Sequence, residues 1–328
     1  MTPDPFHTDA LRDAIVWDNH SCMPLRANDD FLPQLDRCRA VGQTAITLNI
    51  GFDITSVEQD IRTIAHFRDF VARHPDKYLL LNRPEDVEEA KRSGRLAVGF
   101  DIEGGLALGG QLSMVRFYYD LGVRWMLMAY NKNNDVGGGC MDVDGGLSAF
   151  GRDVLDEMYN VGMIPCCSHT GWKTAEQVLA YAKGPVIFSH SNSYVVFQHP
   201  RNIPDELMLA CAEKGGVIGV NGLGRFLGND DNSTENWFRH LDYAVSVVGP
   251  DHVGLGLDFV WDKSEMEEFY KARPDLFPPN QGFTKASSSI EPERLPELVG
   301  AMIGHGYPVR SIQAILGGNH LRIAQNWR

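Results

Sequence analysis

No uninterrupted apolar run in these 328 residues approaches the ~18 that cross a bilayer, so no membrane-spanning helix is expected. Basic charge is not in excess either. The chain has 30 Lys and Arg against 43 Asp and Glu, a formal charge of −13, the wrong sign for a nucleic-acid partner held by its phosphates. Cysteine is sparse: Cys22, Cys38, Cys140, Cys166, Cys167 and Cys211, with no Cys-x-x-Cys pair. The stretch Met1 to His7 lacks a basic n-region and an apolar h-region, so no signal peptide is expected. Reduced thiols in a cytoplasm follow as the expectation, and all but Cys22 read as small buried hydrophobes. No low-complexity segment, internal repeat or linker divides the chain, and its 43% hydrophobic and 22% charged content is that of a globular protein. A single domain over 1–328 is the resulting expectation.

Two short apolar runs organise the rest. Ile164 to His169 and Pro185 to His190 each lack a helical period, and each closes on Ser-His. Between them Lys173 to Ala182 reads as one helix, with Gly184 and Pro185 as stop signals. A strand, a crossover helix and a second parallel strand would set His169 and His190 side by side on one rim, the rim where (β/α) architectures carry their chemistry. Read alone, the pair is equally compatible with two strand-end histidines bonded to loops.

The same grammar runs through the chain. Ile15 to His20, Ala45 to Ile50, Leu96 to Glu103, Val123 to Tyr130, Gly216 to Asn221 and His252 to Asp258 are further strand candidates. Helices are expected at Asp29 to Arg39, from the capping-box spacing Thr55 to Glu58 as far as about His74, and at Gln111 to Leu121, Ser148 to Val161, Pro204 to Lys214 and Ser233 to Val248. Pro292 to His305 and Val309 to Trp327 read as closing helices. Asn131 to Gly146 is a long polar, glycine-rich loop, and Trp261 to Ser289, proline-bearing and weakly periodic, reads as a lid or subunit contact near 261–290. Eight strand ends result: His20, Asn49, Glu103, Tyr130, His169, His190, Asn221 and Asp258. Eight βα units predict an α/β fold, a (β/α)8 TIM barrel of the metal-dependent hydrolase type. A doubly wound nucleotide-binding sheet would need a glycine-rich turn after the first strand, and Asp18-Asn19-His20-Ser21-Cys22 is not one.

On such a barrel His20, Glu103, His169, His190 and Asp258 meet at one mouth. Three imidazoles with a carboxylate suit zinc or a similar divalent ion, and a carboxylate between two metals can bridge them. Asp258, on the last strand, is then free for proton transfer. Taken singly, Glu103 reads as a solvated loop glutamate.

The pattern resembles the membrane (renal-type) dipeptidase family, peptidase family M19 of the amidohydrolase superfamily, over nearly the whole chain. The matching stretches are Asp18-Asn19-His20 with Pro24, Asp101 to Gly105, Gly122-Val123-Arg124, Gly146 to Gly151, Pro185 to His190, Arg201 to Asp205, Gly254 to Asp258 and Gly318 to Arg322. The resemblance implies a binuclear zinc site with Glu103 bridging, His20 on one metal, and His169 and His190 on the other. It implies Asp258 as proton shuttle, and Arg201 as clamp for a substrate carboxylate, although Arg201 by itself reads as a surface arginine before a helix. It implies a homodimer.

Two residues depart from the family. Where it usually has His-x-Asp, this chain has His20-Ser21-Cys22. A thiolate can stand in for the carboxylate because a Zn–S bond of ~2.3 Å offsets the shorter side chain. The alternatives are a single zinc on Glu103, His169 and His190, or a Cys22 that is simply a buried thiol. Tyr130 stands where the family has a histidine supporting the scissile carbonyl. Its phenol is either a donor to a developing oxyanion or a stacking wall for substrate. The expected activity is metal-dependent cleavage of the amide bond in a dipeptide or N-acyl amino acid. The alternatives are an amidohydrolase for another small metabolite and a catalytically silent metal- or ligand-binding protein.

Overall fold

Segments without a polar face must be covered on both sides, and the strands obey that rule. In the structure, a computed structural model that describes residues 12 and 14–328, they are β1 (Trp17–Cys22), β2 (Ala45–Phe52), β3 (Tyr78–Leu80), β4 (Leu96–Glu103), β5 (Val123–Leu127), β6 (Ile164–Cys166), β7 (Ile218–Val220), β8 (Val253–Leu255) and β9 (Phe259–Val260). The stretch Met1 to His7 lies outside the described residues. All pairings between these strands are parallel, in the order β6-β5-β4-β2-β1-β8-β7, with β3 added to β4 and β9 to β1. Between β6 and β7 the ring thins. There the stretch around Phe188 joins its neighbours by the isolated bridges Cys166–Ile187 and Phe188–Ile218, so the barrel is incompletely closed.

Alternation sorts the side chains into two cores. On β2, Ile46, Leu48 and Ile50 face the helices, and on β4 so do Val98, Phe100 and Ile102. Ala45 and Ala97 belong instead to an inner cluster with Trp17, Trp125 and Trp327. These three indoles lie 6.0 to 6.4 Å apart and plug the end of the barrel where the strands begin. Toward the other end the register shifts, between Asp18 and Ser21 on β1 and between Asn49 and Phe52 on β2. Such irregularities re-aim side chains, and they fall where the polar rim begins.

The helices follow their signals closely. Val57–Arg73 buries Ile64, Phe67, Phe70 and Val71, the spacing of one helical face. Its cap is Ser56, which accepts the Gln59 N–H, rather than Thr55, whose hydroxyl is occupied with Asp60 and the Phe52 carbonyl. Ala149–Val161 is capped by Ser148 and ended by Gly162 at φ 93°, as expected of a left-handed stop.

Four differences from the sequence reading have physical causes. The expected strand at 185–190 is a pair of bridges, because Pro185 has no N–H and the His190 N–H goes to Ser168 Oγ at 3.1 Å. The expected strand at 252–258 is shortened to β8, and pairing resumes as β9 only after Asp258, which sits at φ 56° between them. Strand β3 and helix Pro84–Ser93 form an additional unit between β2 and β4, too short at three strand residues to announce itself. The segment 261–290 contains a helix, Lys263–Ala272, and its Tyr270, Leu276, Phe277 and Phe283 pack with Phe52, Tyr130 and Phe226 over the polar rim.

Candidate metal centre

At the carboxyl ends of the strands, three imidazoles point their Nε2 atoms at one carboxylate oxygen. Glu103 Oε1 lies 3.5 Å from His20 Nε2, 3.4 Å from His169 Nε2 and 3.2 Å from His190 Nε2. Neither Glu103 Oε1 nor His190 Nε2, both fully buried, has a hydrogen-bond partner among the described residues. Buried polar atoms are rarely left so, and a cation is the partner that such a set of acceptors would satisfy.

Each ring is held by its far nitrogen. His20 Nδ1–H donates to Asp101 Oδ2 at 2.8 Å, His169 Nδ1–H donates to Asn131 Oδ1 at 2.8 Å, and His190 Nδ1 pairs with Ser189 Oγ at 2.8 Å. Asp101 is steadied in turn by Asn49 Nδ2 at 3.2 Å. Engaging Nδ1 fixes the tautomer that leaves a lone pair on Nε2, the arrangement of metal-ligating histidines. The rings are also packed on one another, His20 stacked on His190 at 3.9 Å and His169 edge-on to His190 at 5.1 Å.

The donors sort into two groups whose ligand atoms lie within 4.8 Å of one another: Glu103, His169 and His190, and His20, His190 and Asp258. The first is a ligand set that the sequence led one to expect. In the second, Cys22 stands beside the expected place of a ligand. Its Sγ is 3.1 Å from Asp258 Oδ1 and 3.6 Å from His20 Nε2, and those two atoms are themselves 3.6 Å apart. Asp258 Oδ2 accepts from Asn221 Nδ2 at 2.8 Å.

Charge sharpens the picture. Burial drives Glu103 up to about 8, and burial with the Asp258 and Glu103 charges drives the Cys22 thiol well above its ordinary value. Burial opposes charge on His20, yet Asp101 and Glu103 outweigh it and lift the ring to about 10, whereas burial holds His169 and His190 well below the usual imidazole range. Protons thus gather on His20 and Glu103 to neutralise a pocket of buried carboxylates. A divalent cation would do the same and would invert these shifts, freeing both groups as ligands. Residues and group fit.

Backbone strain is concentrated here. Among the described residues five non-glycine positions have positive φ, and three of them are Asn131 (58°), His169 (61°) and Asp258 (56°). A bulky His in that region is uncommon, and the surrounding bonds must hold it.

The remaining expected residues are present at the same mouth. Tyr130 stacks on His169 at 4.0 Å and 21°, beneath Phe277. Its N–H donates to Asp53 Oδ2, a buried carboxylate that also accepts from Leu106 N–H and so fixes the turn that follows Glu103. Gly104 makes that turn at φ 133°, where an added Cβ would fall 2.0 Å from Asp53 Oδ1. Arg201 is not a surface residue. It is 2% exposed, stacks on Phe226, donates through Nη2 to the His190 carbonyl at 3.1 Å, and has an unpartnered Nε. Sequence reading gave no role to Asp53, Asn131, Ser189 or Asn221, which orient the centre. The only available signal was the repeated Ser-His, since Ser168 and Ser189 both bond to His190.

The sequence profile of the membrane dipeptidase family, peptidase family M19, matches residues 20–274. "Dipeptidase tcpJ" of Claviceps purpurea is 30% identical over 255 residues, 76% of this chain and 55% of that protein. "Dipeptidase verJ" of Clonostachys rogersoniana is 28% identical over 272 residues, 82% of this chain and 65% of its own length. The chain thus spans between about half and two thirds of the curated relatives it matches. Among solved structures, an amidohydrolase from Pseudomonas aeruginosa superposes with a TM-score of 0.87 at 26% identity, covering 98% of both chains. A metallo peptidase from Rhodobacter sphaeroides, liganded with a phosphinate mimic of the dipeptide L-Ala-D-Ala, shares the fold at a TM-score of 0.80 and 19% identity, over 96% of this chain and all of that one.

Proposed function

The chain belongs to the membrane dipeptidase family, peptidase family M19, and from that footing we propose that it is a zinc-dependent hydrolase cleaving the amide bond of a dipeptide or dipeptide-like N-acyl amino acid. The observation that carries this reading is the convergence of the His20, His169 and His190 Nε2 atoms on one unpartnered Glu103 oxygen. Glu103, His169 and His190 would hold one zinc. His20 and Cys22, with Glu103 shared, would hold a second, the thiol serving as a soft donor in place of a carboxylate. When bound, zinc polarises the scissile carbonyl and brings a water near neutral ionisation.

The chain's own groups do the rest. Asp258, held by Asn221 on one oxygen, takes the proton of the attacking water and returns it to the departing amine nitrogen, so that amide and water become carboxylate and amine. Arg201 receives the substrate's terminal carboxylate with Nε, the guanidinium nitrogen left without a partner. The Tyr130 phenol donates to the oxygen that gains charge as the carbonyl is attacked, and its stacking on His169 keeps it at the centre.

Access is governed by the segment 261–290, which we read as a lid. The cavity touching Cys22, Glu103 and Tyr130 measures about 20 Å³, far below the several hundred that enclose a small ligand, so the lid has to move for substrate to enter. A cytoplasmic homodimer with reduced thiols completes the proposal, and the six free cysteines fit it.

A panel of dipeptides with the zinc-loaded chain tests the reading. Turnover of at least one member is expected, with Asp258→Asn lowering kcat by ~10²- to 10⁴-fold while zinc content stays that of wild type. An inert panel alongside cleavage of other small amides would move the activity to another substrate class.

A further inference from the structure

A second buried guanidinium stands beneath the 261–290 segment with no acid to balance it. Arg225 follows β7 by five residues and is 8% exposed. Its Nη1 donates to the Tyr270 hydroxyl at 3.1 Å and its Nη2 to the Lys285 carbonyl at 2.5 Å, both neutral acceptors. Its guanidinium lies 4.4 Å from the Phe283 ring centroid and 5.2 Å from that of Tyr270. Among the described residues neither Arg225 nor Arg201 forms an ion pair with a carboxylate, although ion pairs are common elsewhere on the chain. Two buried, unneutralised arginines in one neighbourhood are costly, and proteins normally pair such charges.

Both cations belong to one electrostatic neighbourhood. Burial is the first cause holding His199 near 4, and Arg201 and Arg225 both push it further down. Arg201 lies over Phe226, which packs on Phe283 at 6.3 Å, and Phe283 carries Arg225. Tyr270 links this pair to the metal centre. It accepts from Arg225, packs on Phe277 at 4.9 Å beside Tyr130, and is near enough to Asp258 and Cys22 for their charges to act on it.

We propose that Arg225 is a specificity-determining residue that pairs with Arg201, so that the preferred substrate is a dipeptide or N-acyl amino acid whose carboxyl-side residue carries a second anionic group. Arg201 takes the terminal carboxylate, and Arg225 takes the side-chain carboxylate with the N–H donors that Tyr270 and Lys285 leave free. A dianionic residue neutralises both cations at once, whereas a neutral one leaves Arg225 desolvated and unpaired. The inference rests on the hydrolase reading for its substrate class, but the anion pocket has its own readout.

The test uses the zinc-loaded full chain. Calorimetric titration compares N-acetylglutamate with N-acetylalanine, and kcat/KM is compared for Ala-Glu against Ala-Ala. Wild type should favour the acidic ligand and the acidic substrate by about tenfold or more. In Arg225→Gln both ratios should fall close to one, and Arg225→Lys should recover part of them. No acidic preference in wild type, or an unchanged ratio in Arg225→Gln with only a lowered Tm, would overturn the inference and leave the dipeptidase reading intact. Acidic discrimination in binding with no dipeptide cleaved would uphold the anion pocket and remove the dipeptidase reading instead.

Discussion

At the level of single side chains, the centre depends on imidazoles whose second nitrogen is already engaged. Asp101 is the charged one of these orienting groups, a buried carboxylate that bonds His20 Nδ1 at 2.8 Å and receives Asn49. Replacing it with Asn removes the charge that holds the His20 tautomer while keeping the shape. Zinc affinity should drop by ~10- to 100-fold, the usual effect of losing such a partner, as measured by competition with a chromogenic chelator. Wild-type affinity in Asp101→Asn would mean that His20 is not a ligand. The three histidines, Glu103 and Asp258 were legible from the sequence because each ends an apolar run, where a charged or ligating side chain has no packing reason to sit, whereas Cys22 drew notice only through the family resemblance. Their supports were not legible. Asn131 looks like an ordinary loop residue and Asn221 like one strand end among eight, until the fold brings them within hydrogen-bond reach of His169 and Asp258.

At the level of elements, the barrel is tightest where it is least regular. The chain around Ser189 and His190 has few ladder bonds, and it is trapped instead against Gly219 of β7 and Gly256 just past β8. A Cβ on Gly256 would stand 1.9 Å from the Ser189 carbonyl oxygen and 3.2 Å from the His190 Cα, both backbone atoms that cannot swing aside. Gly256→Ala should therefore cost roughly 1–3 kcal/mol in denaturant unfolding and displace His190. Gly300→Ala is the matched control, on a helix with nothing within 4 Å of the new atom. It should be neutral or stabilising by up to about 1 kcal/mol. Equal effects from the two substitutions would contradict this account of the 185–190 segment. Element boundaries were readable wherever capping chemistry or periodicity was strong, as at Ser148 and Gly162. They failed where the backbone breaks its own pattern: the bridges at 187 and 188, the interruption at Asp258, and the three-residue β3. The segment 261–290 hid its helix for a different reason. Its helix is amphipathic against an aromatic cluster drawn from distant strands, a partner that no local window contains.

At the level of the whole molecule, buried histidines away from the centre tie stability to pH. The His320 ring gives a hydrogen bond to the Leu255 carbonyl at 2.9 Å, and burial holds it near 4; His240 does the same with Leu227 at 3.0 Å. Because the folded value lies below the unfolded one, the unfolded chain binds more protons between about 6.5 and 4. The stability these rings support is complete above that window and is lost as pH falls through it, on the order of 3 kcal/mol for each ring. Asp18 and Asp60, lifted by burial to about 7, act in the opposite sense, so the informative quantity is a difference between variants. His320→Gln should lose less stability than wild type between pH 7 and pH 5 in guanidinium unfolding, and an identical loss would refute the assignment.

We propose that this rim is a two-metal hydrolytic centre in which Cys22 holds a ligand position, and zinc content is its most immediate readout. Zinc per chain would be measured by mass spectrometry on protein purified without chelator, for wild type and for Cys22→Ala. Two ions are expected in wild type and one in Cys22→Ala. One ion in both would contradict the role of Cys22, and none in either after soaking with zinc would contradict the metal centre as a whole.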